Sequence, residues 1–468
     1  MQTTFSQPSP SVSPFGRTPQ RRLMDEFARA AASVPAYRTL LREHGVRADD
    51  VRDVATFVSR CPILSKKNTF ERFGIDELSV GGRLGDLADV LTSSGHGGVF
   101  SFGVISRDEA AVAAARLDRA FDAAFGVVAR KTLTINCLPM GVGFGSRLMT
   151  VATTSVREDM ALALVERFGA HYEQIVLAGD PLFLKKLTDY ARERGFDWSR
   201  YRMNAIIGEE VFGERCRGYL ASCLGLSTAR AEDGYIMSSF GVGELGLHLC
   251  YETPATITVR RAMLTHTALA RHLAGAAWDC SPLPMIFTFD PLRTFIEIID
   301  PDGDGFGRMT VSMLDESRTV PMLRYQTGDI ARLLDRDQIH SILTRHGIAL
   351  PGALPTVLLA LKGRDKDTLP NGAHSALYKD AVYADHQTAR HLTGAVRMTF
   401  AAGCSEMHVQ LVPSQIGSAV IESAIRRALP AAMQPDRIVT WTYDAFPFGM
   451  TLDYERKFCT YNPGEPEL

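Results

Sequence analysis

A chain of 468 residues is long enough for one large domain and a small one, or for two to three medium domains. Hydrophobic residues make up 46% and charged residues 22%, the composition of an ordinary soluble globular protein. The formal net charge of −2 gives no overall field that would recruit nucleic acid or an anionic membrane, and no apolar run approaches the length of a membrane span. We therefore expect neither a nucleic-acid partner nor a membrane partner.

Two features predict a cytoplasmic location. No basic stretch followed by an apolar core stands at the N-terminus, so a secretory signal is not expected. The eight cysteines are scattered and form no Cys-x-x-Cys pair, which predicts reduced, mostly buried thiols rather than a disulfide framework. A zinc site built from Cys250, His272 and Cys280 is the alternative, but their spacings match no closed zinc site.

The first predicted elements follow a polar tail. Met1 to Pro19 is rich in Ser, Pro, Gln and Thr, and we expect it to be disordered. Arg21 to Lys67 is predicted to form helices and turns, because Leu23, Phe27 and Ala30 repeat on one helical face.

The character of the chain changes near Asp89. Val90 to Thr92 is a short strand signal that runs into a loop of glycine and serine, Ser93 to Gly98. Val99 to Ile105 then predicts a second strand.

Helix boundaries beyond this loop are marked by capping residues. Ser106 and Glu109 form a capping-box pattern, and Asp180-Pro181 predicts a helix start with an acidic cap and proline at its first position. Gly195 is expected to end that second helix. Strand-like runs lie between the predicted helices: Thr132–Ile135, Gln174–Leu177 and Ala205–Ile207. Strands that alternate with helices predict an α/β architecture.

A domain boundary is predicted at Lys362-Gly363-Arg364, after which about a hundred residues of mixed strand and helix signals remain. The predicted organisation is therefore a disordered tail over 1–19, a large N-terminal domain of layered sheets and helices over 20–361, and a small α+β C-terminal lid domain over 362–468.

Three glycine-containing motifs carry the chemistry. In Ser93-Ser94-Gly95-His96-Gly97-Gly98, backbone N–H groups and two hydroxyls can converge on phosphate oxygens. No Gly-Lys-Ser/Thr follows, so this is not a Walker loop. In Phe240-Gly241-Val242-Gly243-Glu244, a carboxylate in a tight turn can reach a metal–phosphate group, and the aromatic ring can stack on a purine. In Tyr325-Gln326-Thr327-Gly328-Asp329, a carboxylate at a turn can hold two ribose hydroxyls. Each motif alone is also compatible with an ordinary turn.

The three motifs occur together, in this order, and are followed by Gly363-Arg364. This conjunction resembles the adenylate-forming superfamily of acyl-coenzyme A ligases, peptide-synthetase adenylation domains and luciferases. Within it, the chain is most similar to the phenylacetate–coenzyme A ligase family. The opening supports this narrower match through Val34-Pro35-Ala36-Tyr37-Arg38 and the later Lys66, and the middle supports it through Leu177-Ala178-Gly179-Asp180-Pro181. The resemblance spans roughly Leu23 to Tyr461.

The resemblance implies a role for each matching residue. The implied ligands are ATP and Mg²⁺, with coenzyme A as the second substrate. The matches are as follows: Ser93, Ser94, Gly95 and Gly98 with the phosphate loop; Gly208 and Glu209 with the adenine pocket; Phe240 and Gly241 with the segment that packs on adenine; Glu244 with the magnesium-binding acid; Asp329 with the ribose-binding aspartate; Arg364 with the arginine at the start of the lid; and Lys457 with the lysine that polarises the attacked phosphate.

Three departures from the family pattern concern the phosphate site. His96 and Gly97 replace two threonines of the usual loop, and Val99 replaces its lysine. Gly243 stands where the family has the threonine of Tyr-Gly-x-Thr-Glu, and Lys457 lacks the usual preceding Ser-Gly. The site thereby loses a mobile cation and three hydroxyl donors, which predicts altered ATP binding.

The activity that the resemblance implies is ATP-dependent activation of a small, aromatic carboxylic acid as its acyl-adenylate, followed by transfer to a thiol. The thiol donor stays open between coenzyme A and an acyl carrier protein, and a homodimer stays open as the oligomeric state. Two further alternatives remain: transfer of the acyl group to a nitrogen nucleophile, and a binding protein of the same fold that has lost its chemistry.

Overall fold

A computed structural model of the chain describes residues 3–5, 18–92, 100–139, 141–208, 210–227, 234–276, 278, 282–401, 403–415, 417, 419–449, 454 and 458–462. Within these ranges the α/β prediction is confirmed. None of the helices in the described part of the chain combines the length and the apolarity that crossing a bilayer requires.

The chain divides into two compact units, each assembled from three separate segments. The first unit comprises Met1–Leu117, Ser239–Val259 and Met285–Lys362. The second comprises Asp118–Ser238, Arg260–Pro284 and Gly363–Leu468. One of the boundaries therefore falls between Lys362 and Gly363, where the sequence also predicts a boundary. The division into an N-terminal domain and a lid domain remains a prediction.

The first unit begins with helices and continues with antiparallel strands. Its elements are β1 (Thr3–Phe5), α1 (Pro19–Ser33), α2 (Pro35–Glu43), α3 (Val54–Arg60), β2 (Leu87–Thr92), β3 (Phe102–Ser106), the first part of α4 (Arg107–Phe125), the second part of β8 (Ile236–Val242), β9 (Gly246–Tyr251), the first part of α8 (Pro254–Ala262), β10 (Met285–Phe289), β11 (Thr294–Ile299), β12 (Gly307–Met313), β13 (Tyr325–Leu334), α10 (Arg336–Arg345) and most of β14 (Leu358–Arg364).

The sheet of this unit runs in the order β1-β11-β12-β13-β14-β10-β9-β8. Two of its strands are buried throughout: every residue of β10 and of β11 is buried. Burial of successive residues, which point to opposite faces, means that the sheet is covered on both faces at these strands. Strands β2 and β3 form a separate antiparallel pair, on either side of the glycine- and serine-rich loop.

The N-terminal region differs from the predicted disordered tail over 1–19 at two places, in the strand Thr3–Phe5 and at Thr18 and Pro19, where α1 begins. Thr3–Phe5 pairs with β11, so these three residues of the predicted disordered tail form an edge strand. The physical reason is that β11 offers unpaired backbone groups along its outer edge, which a short segment can satisfy. Thr18 then caps α1, whose buried face includes Leu23, Phe27 and Ala30 as the sequence predicts.

The second unit alternates strands and helices. Its elements are the end of α4, β4 (Thr132–Asn136), β5 (Thr150–Thr153), α5 (Glu158–Phe168), β6 (Gln174–Gly179), α6 (Pro181–Glu193), β7 (Met203–Ile207), α7 (Glu214–Cys223), the first part of β8, the end of α8, α9 (Thr267–Ala274), α11 (Ser375–Ala381), α12 (His386–Ala389), β15 (Leu392–Ala401), β16 (Cys404–Leu411), α13 (Ala419–Ala428) and β17 (Arg437–Trp441).

Its main sheet is parallel, with the order β5-β4-β6-β7-β8. The helix signals read from the sequence are confirmed here. Asp180 accepts from the backbone N–H groups of Leu182 and Phe183 at 2.9 and 3.0 Å, so it caps α6. Gly195, just beyond the end of α6, has φ +67°, the left-handed conformation that favours glycine.

The last hundred residues contain a small sheet of their own. Strand β16 pairs antiparallel with β15 and parallel with β17. Helices α11, α12 and α13 accompany these strands, which gives the mixed α+β composition that the sequence predicts for this segment.

Candidate active site

The parallel sheet of the second unit has a topological switch point. Strand β4 connects to β5 on one side, whereas the neighbouring strand β6 connects to β7 on the other, so the connections from the carboxyl ends of β4 and β6 leave in opposite directions. Crevices at the carboxyl ends of strands, next to a switch point, are the usual ligand sites of open α/β sheets. The segments that follow β4, β6 and β7 are therefore where a site is expected on topology alone.

A pocket lies at this position. The segments after the three strands contribute Pro139, Asp180, Pro181, Leu182, Glu210, Val211, Phe212, Gly213 and Cys216 to its lining. The C-terminal segment contributes Ala376, Lys379, Asp380, Tyr383, Gly394, Val396, Tyr454, Phe458 and Thr460. The lining is mainly apolar with a few polar groups, which is the usual character of a small-molecule site.

Helix α7 begins in this pocket and is capped from a distant part of the chain. Its N-cap residue, Gly213, has no side chain, and the Asp380 carboxylate accepts from the backbone N–H of Cys216 at 3.0 Å instead. A Cβ on Gly213 would lie 1.9–2.4 Å from the atoms of that carboxyl group. Burial raises the pKa of Asp380, and the hydrogen bond from Cys216 opposes that rise.

An ion pair joins the same two segments. Lys379 Nζ lies 2.6 Å from Glu210 Oε2. Burial lowers the pKa of Lys379, but the charge of Glu210, its hydrogen bond and the charge of Asp367 together outweigh burial and leave the pKa above its ordinary value. Glu210 belongs to the Gly208-Glu209-Glu210 stretch that supports the family resemblance. The sequence could have identified Glu210, but it carries no signal for Lys379.

The turn after β8 is held by close backbone contacts in the first unit. A Cβ on Gly241 would lie 2.4–2.5 Å from backbone atoms of Leu247, and a Cβ on Gly103 would lie 2.1 Å from the carbonyl oxygen of Gly243. The β8–β9 register shifts between Phe240 and Val242. The glycines of this motif are thus required by strand packing as well as by any approach of a ligand.

Glu244 lies in this turn and is only 2% exposed. Its Oε2 accepts from the Ser101 hydroxyl at 2.9 Å, and its Oε1 accepts from the Tyr325 hydroxyl at 2.5 Å. The sequence predicts a turn carboxylate that reaches a ligand. The structure shows that protein hydroxyls also hold this carboxylate on both sides.

A buried arginine fixes the backbone of the same turn. Arg318 donates to the carbonyl oxygens of Glu244 and Leu245 at 2.8 and 3.0 Å. Its guanidinium also lies 3.3 Å from Glu109 Oε1, and burial raises the pKa of Glu109. The sequence predicts Glu109 as one half of a capping box. Ser106 does accept from the Glu109 backbone N–H at 3.1 Å, but the carboxylate of Glu109 pairs with Arg318.

Asp329 lies in an irregularity of strand β13. Arg308 of β12 pairs with Ile330 of β13, and Thr310 pairs with Gln326. The two partners are further apart on β13 than on β12, so β13 carries extra residues here. Gly328 takes φ +83°, and the Asp329 N–H donates to Thr327 Oγ1 at 3.3 Å. The predicted turn is therefore a bulge within a strand, and bulges commonly redirect a functional side chain. Asp329 is only 3% exposed.

Phe240 lies on β8 and His248 on β9, the two strands that the turn with Glu244 connects. The Phe240 ring is half-buried, with its centroid 6.3 Å from that of Phe287. His248 Nδ1 lies 2.8 Å from the Ser239 hydroxyl, and its ring stacks on Tyr251 at 4.8 Å. Burial, with a contribution from the positive charge of Arg293, lowers the pKa of His248 to about 4. No sequence motif indicated His248.

The predicted site residues fall into three groups. The first unit contains Phe240, Gly241, Glu244 and Asp329. The second contains Gly208, directly after β7, and Arg364, at the end of β14. The remaining predicted residues lie outside the described residues: Ser93, Ser94, Gly95, Gly98, Glu209 and Lys457.

The family resemblance implies a magnesium ion, which oxygen ligands such as carboxylates would hold. Within the ranges given for the structure, no three His, Cys, Asp or Glu side chains cluster as a metal cage would require, and Cys280 of the alternative zinc site lies outside those ranges. Magnesium is commonly bound through one or two carboxylates together with substrate phosphates. A carboxylate offers about four lone-pair positions, and two of those on Glu244 are used by Ser101 and Tyr325. Glu244 therefore fits a magnesium ion that arrives with a nucleotide.

Comparisons with known proteins show the fold. No protein-family model matches the chain, and no curated protein matches it significantly in sequence. The structure of 2-hydroxyisobutyryl-CoA ligase in the postadenylation state, in complex with R3-HIB-AMP, is similar with a TM-score of 0.67 at 13% identity, covering 94% of this chain and 88% of that chain. The open conformation of that ligase, in complex with 2-HIB-AMP and CoA, is similar with a TM-score of 0.55 at 13% identity, covering 94% of this chain and 90% of that chain. The fold is that of the adenylate-forming ligases, including their smaller C-terminal α+β part.

Proposed function

We propose that this chain is an adenylate-forming acid–thiol ligase, which activates a small carboxylic acid with ATP and transfers the acyl group to a thiol. Two observations together support the proposal, the fold of the chain and the place of the Phe240–Glu244 motif within it. The Phe240–Glu244 turn lies at the carboxyl end of β8 in a fold shared with an acyl-CoA ligase.

In the first step, a carboxylate oxygen of the acid attacks the α-phosphorus of ATP, the bond to the β-phosphate breaks, and pyrophosphate leaves. Both reactants are anions, so stabilisation of the charge that develops is the main requirement. A magnesium ion bound with the nucleotide supplies a positive charge to the phosphate oxygens. Glu244 binds and orients that group, Asp329 accepts hydrogen bonds from the ribose hydroxyls, and Phe240 packs on the base.

In the second step, a thiolate attacks the acyl carbon and the bond to AMP breaks, so AMP leaves with one oxygen of the original carboxylate. Coenzyme A is the proposed thiol, and a carrier protein is the alternative donor. We propose an aromatic acid, in line with the resemblance of the sequence to phenylacetate–coenzyme A ligases. Gly208 and Arg364 remain proposed nucleotide contacts, and Lys457 remains the proposed cation at the attacked phosphate.

One observation favours a second candidate function. Both carboxylate oxygens of Glu244 already have protein partners, as expected for a residue that mainly holds the fold together. A protein that binds a nucleotide or an acid without adenylation would be compatible with this arrangement.

Exchange of radiolabelled pyrophosphate into ATP, measured over a panel of aromatic and short aliphatic acids, separates the two candidates. The ligase is expected to show exchange that depends on one class of acid and on magnesium. Glu244→Gln should abolish this exchange with little change in melting temperature. A parent protein that binds ATP but catalyses no exchange with any acid would support the binding protein instead.

A further inference from the structure

Two segments far from Glu244 in the sequence converge on its carboxylate in the first unit. Ser101 stands three positions after Gly98, the last residue of the glycine- and serine-rich loop, and Tyr325 opens the strand that carries Asp329. Both hydroxyls donate to Glu244, at 2.9 and 2.5 Å. All three side chains are at most 2% exposed, so these hydrogen bonds are shielded from water.

The chemical nature of the two donors matters. A hydroxyl orients a carboxylate without adding a positive charge, whereas an arginine or lysine would cancel the charge of the carboxylate. The nearby cation, Arg318, does not use its charge on this group. It donates to the backbone carbonyl of Glu244 and pairs with the carboxylate of Glu109. The carboxylate is thus held in orientation by neutral donors while its charge stays available for a cation.

We propose that Ser101 and Tyr325 are positioning residues that fix the Glu244 carboxylate for a magnesium–nucleotide group. Through these hydroxyls, the segment after the predicted phosphate loop and the start of the strand that carries Asp329 both contact Glu244. The inference rests on the proposed function. It assigns positioning roles to two residues to which the family resemblance gives none.

The physical basis is preorganisation. A glutamate side chain that is free to rotate loses rotamer entropy when it is fixed against a ligand. Because Ser101 and Tyr325 hold Glu244 in one orientation before binding, its rotamer entropy is already lost when the protein folds, and ligand binding does not have to reduce it further. Removing either hydroxyl should therefore weaken binding of the magnesium–nucleotide complex, and it should affect the metal-free nucleotide much less.

The test uses the full chain and two variants that each remove one oxygen, Tyr325→Phe and Ser101→Ala. Matched controls remove equivalent buried hydroxyls elsewhere. Tyr378→Phe breaks the bond that the hydroxyl donates to the Met433 carbonyl at 3.0 Å and the bond that it accepts from Asn371 Nδ2 at 2.7 Å. Ser79→Ala breaks a bond to the Ile75 carbonyl at 2.7 Å. Calorimetric titration without acid measures the affinity for ATP with magnesium and for ATP with EDTA, and thermal melting checks the fold of every variant.

We expect each test variant to lose magnesium–ATP affinity by about tenfold or more, because hydrogen bonds to charged groups are among the stronger ones. Metal-free ATP affinity should change less than about twofold, and both controls should match the parent. In a Glu244→Gln background, Tyr325→Phe should cause little further loss of magnesium–ATP affinity, because the carboxylate that Tyr325 positions is already gone. Equal losses with and without magnesium, or losses no larger than those of the controls, would overturn the inference.

The outcomes also separate this inference from the proposed function. A parent protein that binds no ATP and catalyses no pyrophosphate exchange would contradict both. A parent that exchanges pyrophosphate, together with Tyr325→Phe and Ser101→Ala variants that bind magnesium–ATP as the parent does, would leave the proposed function in place and contradict the positioning role alone.

Discussion

At the scale of single residues, the two acids of the candidate site are more buried than a carboxylate in an exposed surface turn would be. Glu244 and Asp329 are 2% and 3% exposed. Burial of a carboxylate is costly unless other groups compensate it. For Glu244 the compensation is visible in the hydroxyls of Ser101 and Tyr325, which donate to its two carboxylate oxygens. Placing acids at this cost fits a site that must present negative charge or hydrogen-bond acceptors in a fixed orientation.

The proposed ribose contact of Asp329 makes a prediction about deoxynucleotides. The parent should bind ATP more tightly than 2′-deoxy-ATP and 3′-deoxy-ATP, because each analogue lacks one donor to the carboxylate. Asp329→Asn should bind ATP about tenfold more weakly and should lose most of this discrimination, since a neutral amide accepts less strongly. Asp335→Asn, which alters the cap of α10 at the end of the same strand, is the control. If calorimetry shows that Asp329→Asn prefers ATP over the two deoxy analogues as strongly as the parent does, Asp329 does not bind the ribose.

His248 predicts a pH dependence of stability. Its pKa is about 4 in the folded chain, against an ordinary value of 6.5. As the pH falls from about 6.5 toward 4, the unfolded chain gains a proton on this residue and the folded chain does not, so the free energy of unfolding decreases. The full effect is on the order of 3 kcal/mol.

Urea unfolding of the parent and of His248→Gln between pH 4 and pH 7 checks this prediction. The variant should lose less stability than the parent as the pH falls across that window. His340→Gln, at an exposed position on α10, should follow the parent. Parallel curves for His248→Gln and the parent would show that His248 titrates normally in the folded chain.

At the scale of elements, local signals predicted the helix boundaries. Asp180-Pro181 opens α6 and Gly195 follows its end, because capping residues act on backbone groups within a few positions. The predicted strands also correspond to β4, β6 and β7: Thr132–Ile135, Gln174–Leu177 and Ala205–Ile207.

Contacts between distant segments could not be predicted in this way. Nothing local to Gly213 indicates that Asp380 supplies the cap of α7 from 167 positions further along the chain. Similarly, the Thr327-Gly328-Asp329 sequence is compatible with a surface turn, and only its pairing with β12 shows that it is a bulge within a strand. The sequence therefore suggests the motif residues of the candidate site, whose roles stay predictions, but it gives no signal for Ser101, Arg318 and Lys379, which contact them or their neighbours.

The capping of α7 by Asp380 can be tested with a double-mutant cycle. Gly213→Ala should destabilise the chain, because the new methyl group occupies the space of the Asp380 carboxyl and displaces it from the helix. Asp380→Ala should cost about 1 kcal/mol, the usual effect of losing an N-cap. In the Asp380→Ala background, Gly213→Ala should cost little, since the carboxyl is gone and the Gly213 φ of −86° suits alanine. Additive losses in urea unfolding would contradict the packing described here.

At the scale of the whole molecule, the C-terminal segment is part of the second unit rather than an isolated appendage. It supplies half of the pocket lining and the cap of α7, and its Lys379 pairs with Glu210. Truncation after Lys362 should therefore expose apolar side chains such as Leu182 and Phe212. We expect a lower melting temperature and increased binding of a hydrophobic dye, while truncation after Asn462 should leave both unchanged. A truncated chain that melts like the parent would show that residues 363–468 are energetically independent.

The central claim is that the chain forms an acyl-adenylate, and oxygen transfer tests this claim most directly. The acid that supports pyrophosphate exchange is supplied with both carboxylate oxygens labelled with ¹⁸O, together with ATP, magnesium and a thiol acceptor. Mass spectrometry then locates the label. The account predicts one ¹⁸O in the phosphate of AMP and none in pyrophosphate, because a carboxylate oxygen attacks the α-phosphorus and leaves with AMP when the thioester forms. Label in inorganic phosphate with release of ADP, or unlabelled AMP alongside the thioester, would contradict it.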